Sequence, residues 1–294
     1  MVELKVAKYN GTGNDFVLIE DVEGRLSLDA SLIEAICDRH RGVGADGLIR
    51  VTGAPDADFF MDYYNADGRP AQMCGNGIRC LAKLAYDTGL THDRELTVAT
   101  RAGLKHIWLH VEGGRVDRVT VDMGAPGLTR KDLPMRGDPN SEFLGEPVEV
   151  DGRSFKGSAV SMGNPHLVLF VDTDPRSIDV ENLGPRLEVD PRFPEGTNVE
   201  FVAVMDPGLV VRVWERGVGE TMACGTGACA SLVAAHLAGL VDAHTLVRFP
   251  GGVLDIDWRR GEGDRVLMTG GVERTFEGVL DADWLRSRVD GTTA

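Results

Sequence analysis

Short runs in which β-branched or other apolar residues alternate with polar ones recur along the chain: RVDRVTVDM, HLVLFV, NVEFVAV, LVVRVW and VLDIDW. This period-two pattern predicts strands, and strands dominate. Two segments break it. IRCLAKLAYDTG and ACASLVAAHLAG are apolar on most faces, and each closes on the Gly expected just beyond a helix C-terminus. A helix without a polar face needs other elements to cover it. The pattern therefore predicts a curved sheet wrapped around one central helix, and it predicts this twice.

The two helical segments begin in related ways, MCGNGIRC from Met73 and ACGTGACA from Ala223, so that Cys74 and Cys224 stand 150 positions apart. The same offset relates Gly13-Asn14 to Gly163-Asn164, Tyr64-Asn65 to Trp214-Glu215, and Gly89-Leu90 to Gly239-Leu240. TVATRAGL and LVRFPGGV align if the register slips by one, as after a small deletion. A repeat at fixed spacing points to an internal duplication. The β-rich RVTVDM gives way to Gly and Pro near Val121–Pro126. The expected fold is α+β with two pseudo-symmetric domains, each a curved, mostly antiparallel, roll- or barrel-like sheet around a buried helix. Residues 1–122, completed by about 271–294, form the first, and residues 123–270 the second.

Glycines beside Asn76 and Thr226 permit close backbone approaches. The unpaired amides that open a helix, together with its dipole, then make an anion site suited to a carboxylate. Cys74 and Cys224 precede those sites. The positive helix end also favours a thiolate, so either thiol is expected to ionise nearer neutrality. If the halves face each other, two thiols serve one carbon. One could remove a proton and the other deliver one, which is stereoinversion by paired acid–base groups.

Composition narrows the class. The chain has 294 residues, 43% hydrophobic and 26% charged, as in ordinary globular proteins. A net charge of −15 without a Lys/Arg cluster argues against a nucleic-acid partner. No stretch reads as a membrane span or an export signal, which predicts a cytoplasmic protein. Five cysteines in that setting suggest free thiols.

At these residues the sequence resembles the diaminopimelate epimerase family over nearly its whole length. GTGNDF, NADG, MCGNGIRC, MGNPH, GTNVEF, WERGVGET and ACGTGA stand in that family's order. The resemblance implies interconversion of LL- and meso-2,6-diaminopimelate on the route to lysine and peptidoglycan precursors, without cofactor or metal and as a homodimer. It implies Cys74 as proton donor and Cys224 as acceptor in the LL-to-meso direction. Gly75, Asn76, Gly225 and Thr226 would hold the reacting carboxylate. Asn14, Asn65, Asn164, Asn198, Glu215 and Arg216 would bind the rest of the substrate, with Arg216 on the distal carboxylate. His166 and Glu215 would tune the thiols. Some members carry Gln where this chain has Gly47, so a substrate contact there would be missing or replaced by water.

Cys37, Cys80 and Cys229 have no part in the motifs, and the last two read as helix packing residues. Three other functions compete. A proline or hydroxyproline racemase would share the paired thiols, but a substrate without a second charged centre would leave Arg216, Asn65 and Asn198 superfluous. Zinc on Cys74, Cys80, Cys224 and Cys229 would need helical Cys-x5-Cys and Cys-x4-Cys spacings without the short turns of structural sites. A noncatalytic amino-acid-binding protein of the same fold is not separated by spacing alone.

Overall fold

The alternating runs fold as strands in both halves of the chain. The computed structural model describes residues 4–261 and 263–289. Contacts divide the chain into two units, one made of the residues up to Val121 and those from Gly270 on, the other of Asp122–Thr269.

The first unit opens with β1 (Leu4–Gly11), β2 (Asn14–Glu20), α1 (Ala30–Cys37), β3 (Gly47–Ala54), β4 (Ala57–Asn65) and α2 (Gly75–Asp87). It continues through β5 (Glu95–Thr100), β6 (Gly103–Glu112) and β7 (Arg115–Gly124). The second unit runs β8 (Glu146–Val150), β9 (Arg153–Ser161), β10 (Pro165–Phe170), α3 (Val180–Glu188), β11 (Asn198–Val204) and β12 (Leu209–Glu215). After it come β13 (Gly219–Thr221), α4 (Gly225–Leu237), β14 (His244–Phe249), β15 (Gly252–Arg259) and β16 (Arg265–Gly271). The last elements among the described residues are β17 (Glu273–Leu280) and α5 (Ala282–Val289), and β17 pairs antiparallel with β1.

Strand pairing repeats between the units in sense and in register. β1 and β2 are antiparallel, β2 and β3 parallel, β3 and β4 antiparallel, and β4 and β5 parallel. β9 through β12 and then β14 follow the same sequence. Phe16 pairs with Gly47 as His166 pairs with Asn198. β11 is thus displaced by one residue from the 150-residue offset, so Gly47 corresponds to Asn198 and Ile49 to Glu200. β5 and β14 show the one-residue slip that their sequences suggest.

In each unit a mostly antiparallel, curved sheet wraps a central helix. Every residue of α2 from Gly75 to Ala85 is buried, and α4 packs against β9, β10, β11, β12, β14 and β15. The segment that reads as apolar in α2 carries two buried cations. Arg79 reaches the Gly75 carbonyl (3.0 Å) and Thr12 Oγ1 (2.6 Å), and Lys83 reaches the Val116 carbonyl (2.8 Å). Their polar ends find oxygens while their stems pack as hydrocarbon.

The opposite faces of the sheets are covered by α1 and α3, which the sequence pattern did not reveal. Leu32, Ile33 and Ile36 of α1 cluster with Val17, Ile19 and Leu48. Val180, Leu183 and Leu187 of α3 cluster with Leu167, Val199 and Phe201. Central strands are therefore buried on both sides, and β11 is buried from Asn198 to Ala203. No helix among the described residues is long and apolar enough to cross a membrane.

Candidate active site

Each motif cysteine is the N-cap of its central helix. Cys74 (φ −134°, ψ 121°) and Cys224 (φ −125°, ψ 119°) adopt the extended conformation that lets a cap side chain fold back over the first turn. Their sulfurs accept the Gly77 and Gly227 amides, both at 3.4 Å. The Gly-Asn-Gly and Gly-Thr-Gly triplets are therefore the first helical turns rather than loops. At Gly77 a Cβ would stand 2.7 Å from Ile49 Cδ1, and at Gly227 2.7 Å from Glu200 Oε1, so a side chain there would displace Ile49 or Glu200. Left-handed backbone is needed instead at Gly13 (φ 80°) and Gly163 (φ 93°), which turn Asn14 and Asn164 toward the helix entrances.

In the first unit, Asn14, Cys74 and Asn76 form one group. Asn14 Oδ1 lies 3.5 Å from Cys74 Sγ and 3.5 Å from Asn76 Nδ2, while its own Nδ2 donates to Asp46 Oδ2 at 2.6 Å. Cys74 is half-buried. Asn65 ends β4 in register with Gly47. A Cβ at Gly47 would lie 2.5 Å from the Tyr64 carbonyl, so this position excludes any side chain without a backbone shift.

In the second unit the corresponding group is charged and more deeply enclosed. Cys224 is 5% exposed, with Thr226 Oγ1 3.4 Å from its sulfur. His166 is fully buried, with Nδ1 2.7 Å from Glu200 Oε1 and Nε2 3.1 Å from Asn164 Oδ1. Asn164 Nδ2 in turn lies 3.5 Å from Thr226 Oγ1. Glu215 accepts from Thr221 Oγ1 at 2.5 Å. Asn198 donates to the Pro165 carbonyl (2.8 Å) and accepts the Arg216 amide (2.9 Å), and the Arg216 guanidinium rests on the Glu195 carbonyl at 3.0 Å.

The electrostatics correct one expectation. Cys224 does not ionise nearer neutrality. Burial pushes its thiol well above the ordinary value, and the carboxylates of Glu215 and Glu200 push the same way. The Thr226 hydroxyl and the Gly227 amide pull it down, but by less. Burial likewise raises Glu215, against hydrogen bonds from Thr221 and Cys224 and the attraction of His166.

Glu200 and Asp46 escaped the motif reading. Glu200 had a signal, a carboxylate inside the apolar run NVEFVAV; among described residues it is fully buried. Asp46 had none beyond lying in GADGL.

Cys37, Cys80 and Cys229 are buried packing residues. Burial raises Cys37 from 9.0 to about 12 and raises Cys80 as well. These thiols hold their protons more tightly folded than unfolded. The stability they contribute is thus complete below about pH 9 and is lost as pH rises toward about 12. The thermal midpoint is expected to stay level near neutrality, fall through that window, and fall less steeply in Cys37→Ala. A midpoint unchanged to about pH 11 would count against the buried thiols.

Three comparisons bear on this arrangement. The sequence model of the family described as Diaminopimelate epimerase matches residues 6–129 and 158–275. The chain is similar to a diaminopimelate epimerase of Pelotomaculum thermopropionicum, 46% identical over 274 residues, covering 92% of this chain and 96% of that protein. It is equally similar to one of Desulfitobacterium hafniense, 46% identical over 282 residues, covering 94% and 98%. Among solved structures, a Bacillus anthracis phenazine biosynthesis protein of the PhzF family shares the fold at 18% identity, with a TM-score of 0.69 over 96% of this chain and all of that one.

Proposed function

Since the chain belongs to the diaminopimelate epimerase family, we propose that it interconverts LL- and meso-2,6-diaminopimelate by thiol/thiolate exchange at the α carbon, without a cofactor. Cys224 takes the α proton in the LL-to-meso direction and Cys74 supplies one to the opposite face. The observation that carries this reading is the duplicated cap. In each unit a sulfur sits on the first turn of a buried helix, beside amides that precede any intrahelical acceptor.

The chemistry follows from that arrangement. A proton alpha to a carboxylate is weakly acidic, so charge gathering on the carboxylate must be stabilised as the proton leaves. The amides of Gly75 and Asn76, and of Gly225 and Thr226, are placed for this. Such preorganised donors are worth roughly 3 kcal/mol each. Glu215 accepts the proton that Cys224 must lose to act as base and becomes neutral in doing so, while before that step the attraction of His166 favours its carboxylate. Asn14, Asn65, Asn164 and Asn198 bind the polar groups of the substrate. Arg216, held at its backbone by Asn198, releases the Glu195 carbonyl and grips the distal carboxylate by a two-pronged contact. That second charged contact favours diaminopimelate over proline. A cytoplasmic homodimer serving lysine and peptidoglycan-precursor synthesis belongs to the same proposal.

The test is incubation with LL-diaminopimelate in deuterated water, with L-proline alongside. Solvent label at the α carbon and conversion to the meso isomer are expected from diaminopimelate only. Unlabelled, unconverted diaminopimelate would sink the proposal.

A further inference from the structure

Asn14 and Asn164 hold the same place in the two units, yet their amides are turned opposite ways. An ionised carboxylate can only accept hydrogen bonds. Asp46 Oδ2 accepts from Asn14 Nδ2 (2.6 Å) and from the Asp15 amide (3.1 Å), so the Asn14 oxygen is directed at Cys74. Asp46 is itself fixed. Arg39 Nη2 donates to its Oδ1 at 2.7 Å and also to Asp15 at 2.7 Å, and Lys8 pairs with Asp15 at 2.8 Å.

In the second unit the asparagine meets a ring nitrogen instead of a carboxylate. His166 lies between Glu200 and Asn164, with Nδ1 2.7 Å from Glu200 and Nε2 3.1 Å from the Asn164 oxygen, while the Asn164 NH2 donates to Thr226, whose hydroxyl lies 3.4 Å from the Cys224 sulfur. One unit therefore offers its thiol an acceptor. The other sets an amide NH2 and a hydroxyl in line with its sulfur.

We propose that Asp46 is a positioning residue that orients the Asn14 amide to receive the Cys74 S–H, so that the first unit rests in its proton-donating form. This rests on the epimerase reading above and deepens it. The form with a thiol at Cys74, and with the Cys224 proton passed on as proposed above, is the one that accepts the LL isomer. The swapped pair accepts the meso isomer.

Asp46→Asn tests this at nearly constant size. Arg39 requires an oxygen, so the new amide turns its NH2 to Asn14, and Asn14 must reverse and present its own NH2 to Cys74. In the unliganded protein, iodoacetamide labelling of Cys74 relative to Cys224, read peptide by peptide, is expected to rise about tenfold, because a donor now favours the Cys74 thiolate. In kinetics, the ratio of KM for LL to KM for meso is expected to rise by a similar factor of about ten, since a smaller fraction of enzyme is poised for LL. The overall equilibrium fixes the ratio of kcat/KM values, so the two kcat values must shift in step. Adding Arg39→Met frees the new amide to turn back and restores both ratios.

A loss that is only structural would change both directions alike and leave the labelling partition where it was. Unchanged partition and KM ratio in folded Asp46→Asn would overturn the proposal. Should that variant not fold, Asp46→Ser, which frees the Asn14 amide to turn, is read in the same way. If the unaltered protein does not epimerise diaminopimelate, the functional reading falls, and the labelling partition alone decides the role of Asp46.

Discussion

Alanine in place of Cys74 or of Cys224 is expected to lower diaminopimelate epimerisation by at least about a thousandfold, the upper part of the range for loss of a positioned acid or base. The fold should survive. Each sulfur caps its helix through one amide, at 3.4 Å, and loss of a cap costs about 1 kcal/mol against a total stability of roughly 5–15 kcal/mol. Serine separates capping from chemistry. A hydroxyl is a good cap, so Cys74→Ser and Cys224→Ser are expected to melt near the unaltered protein. An alcohol holds its proton far too tightly to act as base, so they should remain as inactive as the alanine variants. Kinetics from both isomers and thermal melts on all four variants check this. Turnover within about tenfold of normal in either alanine variant would remove that thiol from the mechanism.

The second large effect concerns His166 and Glu200, whose counterparts in the first unit are Phe16 and Ile49. Phe16 and Ile49 pack against the second glycine of one helix entrance, and Glu200 packs against that of the other. A Cβ at Gly77 would meet Ile49 at 2.7 Å and Phe16 at 3.4 Å, and one at Gly227 would meet Glu200 at 2.7 Å. The duplicated positions thus have matching shape and opposite polarity. Glu200→Ile alone takes the partner from a fully buried ring nitrogen, and breaking such a pair costs about 3–5 kcal/mol. Adding His166→Phe installs the apolar pair of the other unit. Replacing a buried pair by hydrophobic residues of similar volume is commonly neutral or stabilising, so most of the loss should return.

Activity should not return with it. The double variant lacks the ring that contacts Asn164 and the attraction that His166 exerts on Glu215, and a fall of about a hundredfold or more in kcat/KM is expected. Denaturant unfolding and steady-state kinetics on the two single variants and the double supply the comparison. A double variant less stable than either single, or one with ordinary activity, would contradict the view that this pair trades packing for proton handling.

How much of this was written in the sequence varies with how local each feature is. The helix mouths were legible because Cys-Gly-x-Gly, a following apolar run and a closing Gly are all contiguous, and the repeat at 150 residues doubled the signal. The strand from Leu209 was legible because side chains alternate across a sheet with a period of two, and that from Asn198 because it is a short run rich in β-branched and aromatic residues. α1 and α3 were not. Each is a little over two turns of mixed residues, and each is helical mainly because sheet-facing positions such as Ile33 and Leu183 have a surface to cover.

By itself, then, the sequence determined the elements, the duplication and the two sulfur-capped helix entrances, since these depend on neighbours along the chain and on backbone propensity. The tertiary structure decided what surrounds each sulfur. Only the fold brings Glu200 of one strand against His166 of another, sets Asp46 on Asn14 from a distant loop, and buries Cys224 deeply enough that desolvation and carboxylates outweigh the helix end. Hydrogen-bond direction and desolvation act through space over a few ångströms, and residues far apart in the chain acquire that proximity only when the sheet closes around its helix.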